Sequence, residues 1–299
     1  MVPPALDAEA QAQLKAAVQA PPRAVGIEAA DWNWKVVREF VERRFGVRLC
    51  RSSCLNYLHR LGFVLKRPKK RLAKADAAKR EAFVARYRAL RREAQETGAK
   101  IFFVDEAHFR ADADLRGKWV LKGEPALVDS TSPGLKEKVT YYSAVCLETG
   151  EVEEMEVESN CTAETSALFL RQLRTHHPEP LIVIWDNAPA HHGEALRTYL
   201  ATPDLHLRLV PLPGYSPDFN ADEAIWDWVR DEVTANTCLG TKAKVREQVG
   251  AFLRALSARA EDVKRRCRTA LQSRADALET ATTKTLQAPQ HVGPTLALV

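Results

Sequence analysis

The spacing of apolar positions changes twice along the chain. Val36, Val37, Phe40 and Val41 recur at helical spacing, so a helix runs to Phe45 and stops at Gly46. After the connector Val47-Arg48-Leu49, Ser52 or Ser53 can cap a second helix through Leu55, Leu58 and Leu61, which Gly62 ends. Phe63-Val64-Leu65 reads as a short wing strand before Lys66-Arg67-Pro68-Lys69-Lys70-Arg71. Helix, turn, helix and wing predict a small winged helix-turn-helix domain whose second helix reads a DNA groove. Ahead of it, residues 1–30 are rich in Ala and Gln, with one helical pattern over Ala8–Val18 and a break at Pro21-Pro22. Ala73 to Gly98 reads as one charged helix, apolar at Ala77, Phe83, Val84, Tyr87 and Leu90, and predicts a linker.

From Lys100 the pattern turns to strands. Ile101–Val104, Trp119–Leu121, Val139–Cys146 and Val152–Val157 read as strands, with Glu148-Thr149-Gly150-Glu151 as a hairpin turn. A helix over about Ala163–Leu173, a strand Leu181–Trp185, a helix Glu194–Leu200 and a strand Leu205–Val210 follow. By pattern alone this is a mixed α/β domain. Residues 241–272 are helical again, with Val245, Val249, Phe252, Leu253 and Leu256 on one face, and a loose tail is expected from about Thr280. The expected division is therefore an N-terminal segment 1–30, a winged domain 31–71, a linker helix 72–98, an α/β domain 99–235 and a helical segment with tail 236–299.

Charge sharpens that division. The net charge is +5, but residues 1–100 carry 22 Lys and Arg against 10 Asp and Glu, residues 101–235 carry 11 against 24, and residues 236–299 carry 11 against 5. Basic ends suit a phosphate backbone, and an acidic middle suits cations. Arg51, Asn56, His59, Arg60, Lys66, Arg67, Lys69, Lys70 and Arg71 are the candidate DNA contacts. The bland alternative is a helical subdomain with a solvated basic face. No apolar run approaches membrane-span length, and the first residues lack a signal peptide's basic and apolar regions. Six cysteines without a CxxC pair point to reduced thiols in a bacterial cytoplasm, with the protein on the nucleoid when bound to DNA.

Three acids carry the candidate chemistry. Asp105 ends the run Ile101–Val104, Asp186 ends Leu181–Trp185, and Glu223 opens the pattern through Ile225, Trp226 and Val229. Open α/β sheets place their sites at strand ends, and divalent cations prefer hard oxygen ligands. Taken singly, each Asp also reads as a turn former and Glu223 as a first-turn residue favouring the helix dipole. Spacing alone does not separate Glu223 from Asp222. His191 and His192 could hydrogen-bond a scissile phosphate or a ligand carboxylate, or be loop histidines, and Asn187 and Asn220 read as shaping the acid-bearing loops.

The three acids sit in Val104-Asp105-Glu106-Ala107-His108-Phe109, in Trp185-Asp186-Asn187-Ala188-Pro189-Ala190-His191-His192 and in Tyr215-Ser216-Pro217-Asp218-Phe219-Asn220-Ala221-Asp222-Glu223-Ala224-Ile225-Trp226. In that order, 81 and 37 residues apart, they resemble the DDE transposases of the mariner-like superfamily, in its bacterial insertion-sequence branch, over about Trp32 to Leu256. The resemblance implies a ribonuclease-H-like core with Asp105, Asp186 and Glu223 as catalytic and metal-binding acids. It implies two Mg²⁺ (or Mn²⁺) ions per site, with Asp105 bridging them. The acid-x-x-Trp order favours Glu223 over Asp222, and His191, Asn187 and Asn220 are candidate supports for the ligands. Double-stranded DNA, as transposon ends and target, is the implied partner, held by a homodimer. The implied reaction is strand cleavage by water, then attack of the freed 3′-hydroxyl on target DNA.

Two departures define the alternative. Asn220-Ala221-Asp222-Glu223 stands where the family has Asn-Pro-Ile-acid, and one helix-turn-helix is evident where members carry two. These features suit a truncated or domesticated, DNA-binding remnant without transposition activity.

Overall fold

The computed structural model describes residues 5–66, 75–131, 138–158, 160–188, 191 and 193–287, with side chains placed to residue 280. The chain divides into two units, Met1–Arg71 and Leu72–Val299.

In the first unit, α1 (Ala8–Val18) starts at Asp7, whose carboxylate accepts the Ala10 N–H. Helix α2 (Trp34–Phe45) is capped by Asn33, which accepts from Lys35 and Val36, and ends at Gly46 with φ +69°. Helix α3 spans Arg51–Arg60. Val36, Val37, Phe40 and Val41 meet Leu6, Leu14, Leu49 and Tyr57 in one core, and the Tyr57 hydroxyl accepts the Leu6 N–H at 2.9 Å. Helix α1 is thus an integral wall of this unit, where a separate N-terminal segment was expected. No strand forms over residues 63–66, and Val64 and Leu65 are 64% and 99% exposed. A wing strand needs a neighbour to accept its ladder bonds, and none runs beside it among the described residues. The remainder of that basic run, including Arg67, Lys69, Lys70 and Arg71, lies outside the described residues.

The second unit is built on β1 (Lys100–Arg110), β2 (Lys138–Cys146), β3 (Val152–Val157), β4 (Leu181–Trp185) and β5 (Leu207–Pro211). Their order is β3-β2-β1-β4-β5. Strands β1, β2 and β3 are antiparallel, while β1, β4 and β5 are parallel. One face, with Phe102, Val104, Val183 and Trp185, packs under α5 (Ala163–His176) and α6 (Glu194–Leu200). The other, with Ile101, Phe103, Ile182 and Ile184, is covered by α4 (Ala77–Thr97), α7 (Glu223–Val229), α8 (Lys242–Ala255), α9 (Ala260–Arg266) and α10 (Ala270–Gln287). This is a ribonuclease-H-like fold.

Several elements differ from the sequence reading. Helix α4 is more than a linker, because Phe83, Val84, Tyr87 and Leu90 are buried in the sheet's core. Strand β1 continues to Arg110 because β2 pairs with it that far, so Asp105 lies within the strand opposite Ser143. Trp119–Leu121 is not a strand, and Trp119 is fully exposed with no neighbour to pair with among the described residues. Strand β5 starts two residues late because Asp204 and His206 take positive φ, which breaks the extended run. Helix α10 continues through Thr280 to Gln287, and residues 288–299 lie outside the described residues.

Candidate active site

Register sets the first two acids. Phe103 pairs with Ile184 across the parallel β1–β4 ladder, so Asp105 and Asp186, each two residues on, come out level. Both share the parity of Phe103 and Ile184, which face the side that α7 covers. Glu223 is the first residue of α7. All three carboxylates line one cleft of about 470 Å³, together with Asn187, Tyr215 and Ser216.

Two amides fasten the acid-bearing loops. Buried Asn220 donates to the Val104 carbonyl at 2.9 Å and accepts the Asp222 N–H at 3.2 Å. The stretch before Glu223 is thereby tied to β1 one residue before Asp105. Asn187 donates to the Leu212 carbonyl at 2.7 Å, joining the ends of β4 and β5. Phe219 anchors the same loop in the core, stacked on Phe83 of α4. Arg80 of α4 grips Asp218 with two bonds of 3.0 and 2.7 Å while lying 4.0 Å over the Phe219 ring.

The electrostatics are those of crowded like charges. Burial pushes the Asp105 carboxyl well above its ordinary value, and repulsion from Glu223, Glu106 and Asp186 adds to this. Burial also raises Glu223, with Arg230 opposing and Asp227 and Asp186 adding. Among the described residues, no three acidic, histidine or cysteine side chains are gathered at metal-ligating spacing. The triad shares a cleft and a field without converging on one point.

His191, tilted against Trp185 with ring centroids 4.0 Å apart and almost fully buried, donates from Nδ1 to Asp186 at 3.0 Å and from Nε2 to Glu106 at 2.8 Å. Burial alone would lower its pKa, but the bonds to Asp186 and Glu106 outweigh it and raise the value to about 9. His191 thus bonds two carboxylates, Asp186 and Glu106; His192 lies outside the described residues. Asp222 is fully buried and does not line the cleft. Ser143 donates to its Oδ1 at 2.9 Å, and its Oδ2 has no hydrogen-bond partner among the described residues.

Sequence reasoning missed Ser143 and Arg80, and it took Glu106, like His108, as a near-site residue without a role. Strand alternation was the available signal for Glu106: it faces opposite to Asp105, toward Trp185 and the histidine loop. In the first unit Arg51, Asn56, His59 and Arg60 are exposed on α3, and Lys66 is exposed beyond it.

Fold, cleft and acids together make a ribonuclease-H-like domain with an acidic cleft, preceded in the chain by a helical DNA-binding-type unit. Residues 100–246 match the model of the DDE superfamily endonuclease family, and residues 28–87 match a winged helix-turn helix model. It is 25% identical over 251 residues to the insertion element IS630 uncharacterized 39 kDa protein of Shigella sonnei, covering 82% of this chain and 70% of that protein. The Mos1 mariner paired end complex with Mn shares its fold with a TM-score of 0.64 and 18% identity, over 94% of this chain and 80% of that one. The corresponding complex with Mg gives a TM-score of 0.63 at 18% identity, with the same coverage. No helix among the described residues is long and apolar enough to cross a membrane.

Proposed function

We propose that this chain is a DNA transposase that cleaves strands at transposon ends and joins the freed 3′-hydroxyl to target DNA. The observation that carries the reading is the meeting of Asp105, Asp186 and Glu223, from β1, β4 and α7, in one cleft. Three mutually repelling carboxylates are a donor set for hard divalent cations, so Asp105, Asp186 and Glu223 would hold Mg²⁺ or Mn²⁺. When bound, two such ions supply polarisation of the attacking oxygen and neutralisation of charge on the leaving oxygen.

The remaining residues prepare that site. Asn220 and Asn187 fix the two loops that present Glu223 and Asp186. His191 holds the Asp186 carboxylate from one side and keeps its own charge balanced by Glu106. The first unit offers the exposed cations of α3 to duplex DNA. The paired-end complexes of the Mos1 relative support a homodimer that holds two ends together.

The test is cleavage of a duplex carrying the element's own terminal repeat, by the full chain, with Mg²⁺ or Mn²⁺ and with chelator. Asp105→Asn, Asp186→Asn and Glu223→Gln should each abolish nicking while leaving DNA binding intact. Wild-type activity in any of them removes that residue from the site. One observation favours the second reading, a DNA-binding remnant: Asp222 buries a carboxyl with an unpartnered oxygen next to Glu223. Specific binding by the wild-type chain without metal-dependent nicking would decide for the remnant.

A further inference from the structure

The first unit holds a cluster of cations beside the exposed face of α3, sharing Arg51 with it. Trp34, the first residue of α2, is half-buried, and three positive groups stand around its ring. Lys35 Nζ lies 5.8 Å from the ring centroid, Arg38 Cζ 5.2 Å and Arg51 Cζ 6.0 Å. Arg51 opens α3, so the indole joins the starts of two helices. None of the three forms an ion pair among the described residues, and Glu39, the acidic neighbour on α2, is taken by Arg43 at 2.6 Å.

Three like charges around one ring repel each other. The negative face of the indole offsets part of that repulsion and fixes where the cations stand. What remains is a concentrated positive potential with no ion-paired carboxylate among the described residues, made mainly of guanidinium groups whose forked N–H donors match phosphate oxygens. Helix α3 opens at the same place without a side-chain cap, so its terminal partial charge adds to the field.

We propose that Trp34 organises Lys35, Arg38 and Arg51 into a phosphate clamp that grips the backbone of duplex DNA, while Asn56, His59 and Arg60 farther along α3 face the bases. This rests on the DNA-binding reading of the first unit and adds a division of labour within it. Backbone contacts carry no sequence information but set register and salt dependence. The clamp should therefore govern affinity for every duplex equally.

The test measures binding of the full chain, in chelator, to a random-sequence duplex and to the terminal repeat over a range of salt concentrations. Removing one phosphate-neutralising cation lowers the slope of log affinity against log salt by about 0.9. Lys35→Ala with Arg38→Ala should flatten that slope by roughly one to two units on both duplexes alike. Arg38→Lys should keep the slope, and Trp34→Phe should keep most of it because a ring remains. His59→Ala with Arg60→Ala should instead narrow the difference between repeat and random duplex. An unchanged slope in the Lys35/Arg38 variant, with wild-type binding intact, overturns the clamp and leaves the DNA reading standing. A wild-type chain that binds neither duplex at low salt overturns both.

Discussion

Replacing Asn220 by Ala removes two buried hydrogen bonds at the point where the third acid's loop meets β1. The amide donates to the Val104 carbonyl at 2.9 Å, and its oxygen accepts the Asp222 N–H at 3.2 Å. Both backbone partners lose this bond inside the protein, where an unmet polar group costs about 1–3 kcal/mol. Allowing for partial relaxation, the loss should total roughly 2–4 kcal/mol. For a unit of this size each kcal/mol moves the melting temperature about 2–4 °C, so a fall of roughly 5–15 °C is expected. The functional consequence is separable. Glu223 follows three residues later, and a displacement of about 1 Å in a catalytic group costs on the order of 100-fold in rate. Nicking of an end duplex should fall by about that factor even well below the variant's melting temperature. Thermal melting and a nicking assay on the same preparation check both halves. Melting within about 1 °C of wild type would show that the amide holds nothing. A clear fall in Tm with wild-type nicking would refute the positioning argument instead.

Two other substitutions are informative. Arg80 is mostly buried and Asp218 half-exposed, so a double-mutant cycle on Arg80→Ala and Asp218→Ala should give a coupling of about 1–2 kcal/mol, between the surface and buried limits. A coupling near zero by chemical denaturation would mean that the fork is ornamental to the loop. Asp222→Leu removes a buried carboxyl whose Oδ2 has no partner; it should stabilise the chain by about 1–3 kcal/mol at neutral pH, and a lower Tm would show that the Ser143 bond outweighs the desolvation.

The sequence carried most strands of the sheet and marked the candidate acids at their ends for a physical reason. Buried β1 and β4 read as unbroken apolar runs, and the two parallel runs each end in a carboxylate. Topology and register were not legible, because alternation does not say which strand neighbours which. That Asp105 and Asp186 stand level follows only from the Phe103–Ile184 pairing. Burial of Asp222 beside exposed-looking Glu223 was hidden for the same reason: adjacent residues on a turn entering a helix take opposite environments that composition does not reveal. Trp119–Leu121 failed in the other direction. Three apolar residues matched a strand's composition but had no ladder partner, and they stand in solvent. The clamp around Trp34 was invisible because Arg51 reaches it from another helix.

The cleft's charges make stability and function pull against each other, and the signs can be worked out. Asp105, Asp222 and Glu223 have folded pKa values raised, mainly by burial. Ionising them costs the folded state nothing below their ordinary values of 3.8 and 4.5, and the penalty grows as pH rises toward the raised values. His191 works through the opposite charge with the same outcome: its stabilisation is complete below 6.5 and is lost as pH rises through about 9. The metal-free chain should therefore lose thermal stability steadily from mildly acidic to alkaline pH. Divalent cations bind the ionised carboxylates, so the stabilisation by Mg²⁺ or Mn²⁺, read as a rise in Tm, should be larger near about pH 8 than near about pH 6, and its free energy should reach about 2.7 kcal/mol at a hundred times Kd. Asp105→Asn keeps the shape and removes one repelling charge. It should stabilise the metal-free chain at alkaline pH, shrink the cation's stabilisation and abolish nicking together. A Tm that is flat with pH, or a variant as cation-responsive as wild type, would mean that these acids do not share a field, and the cleft would lose its claim to be a metal site.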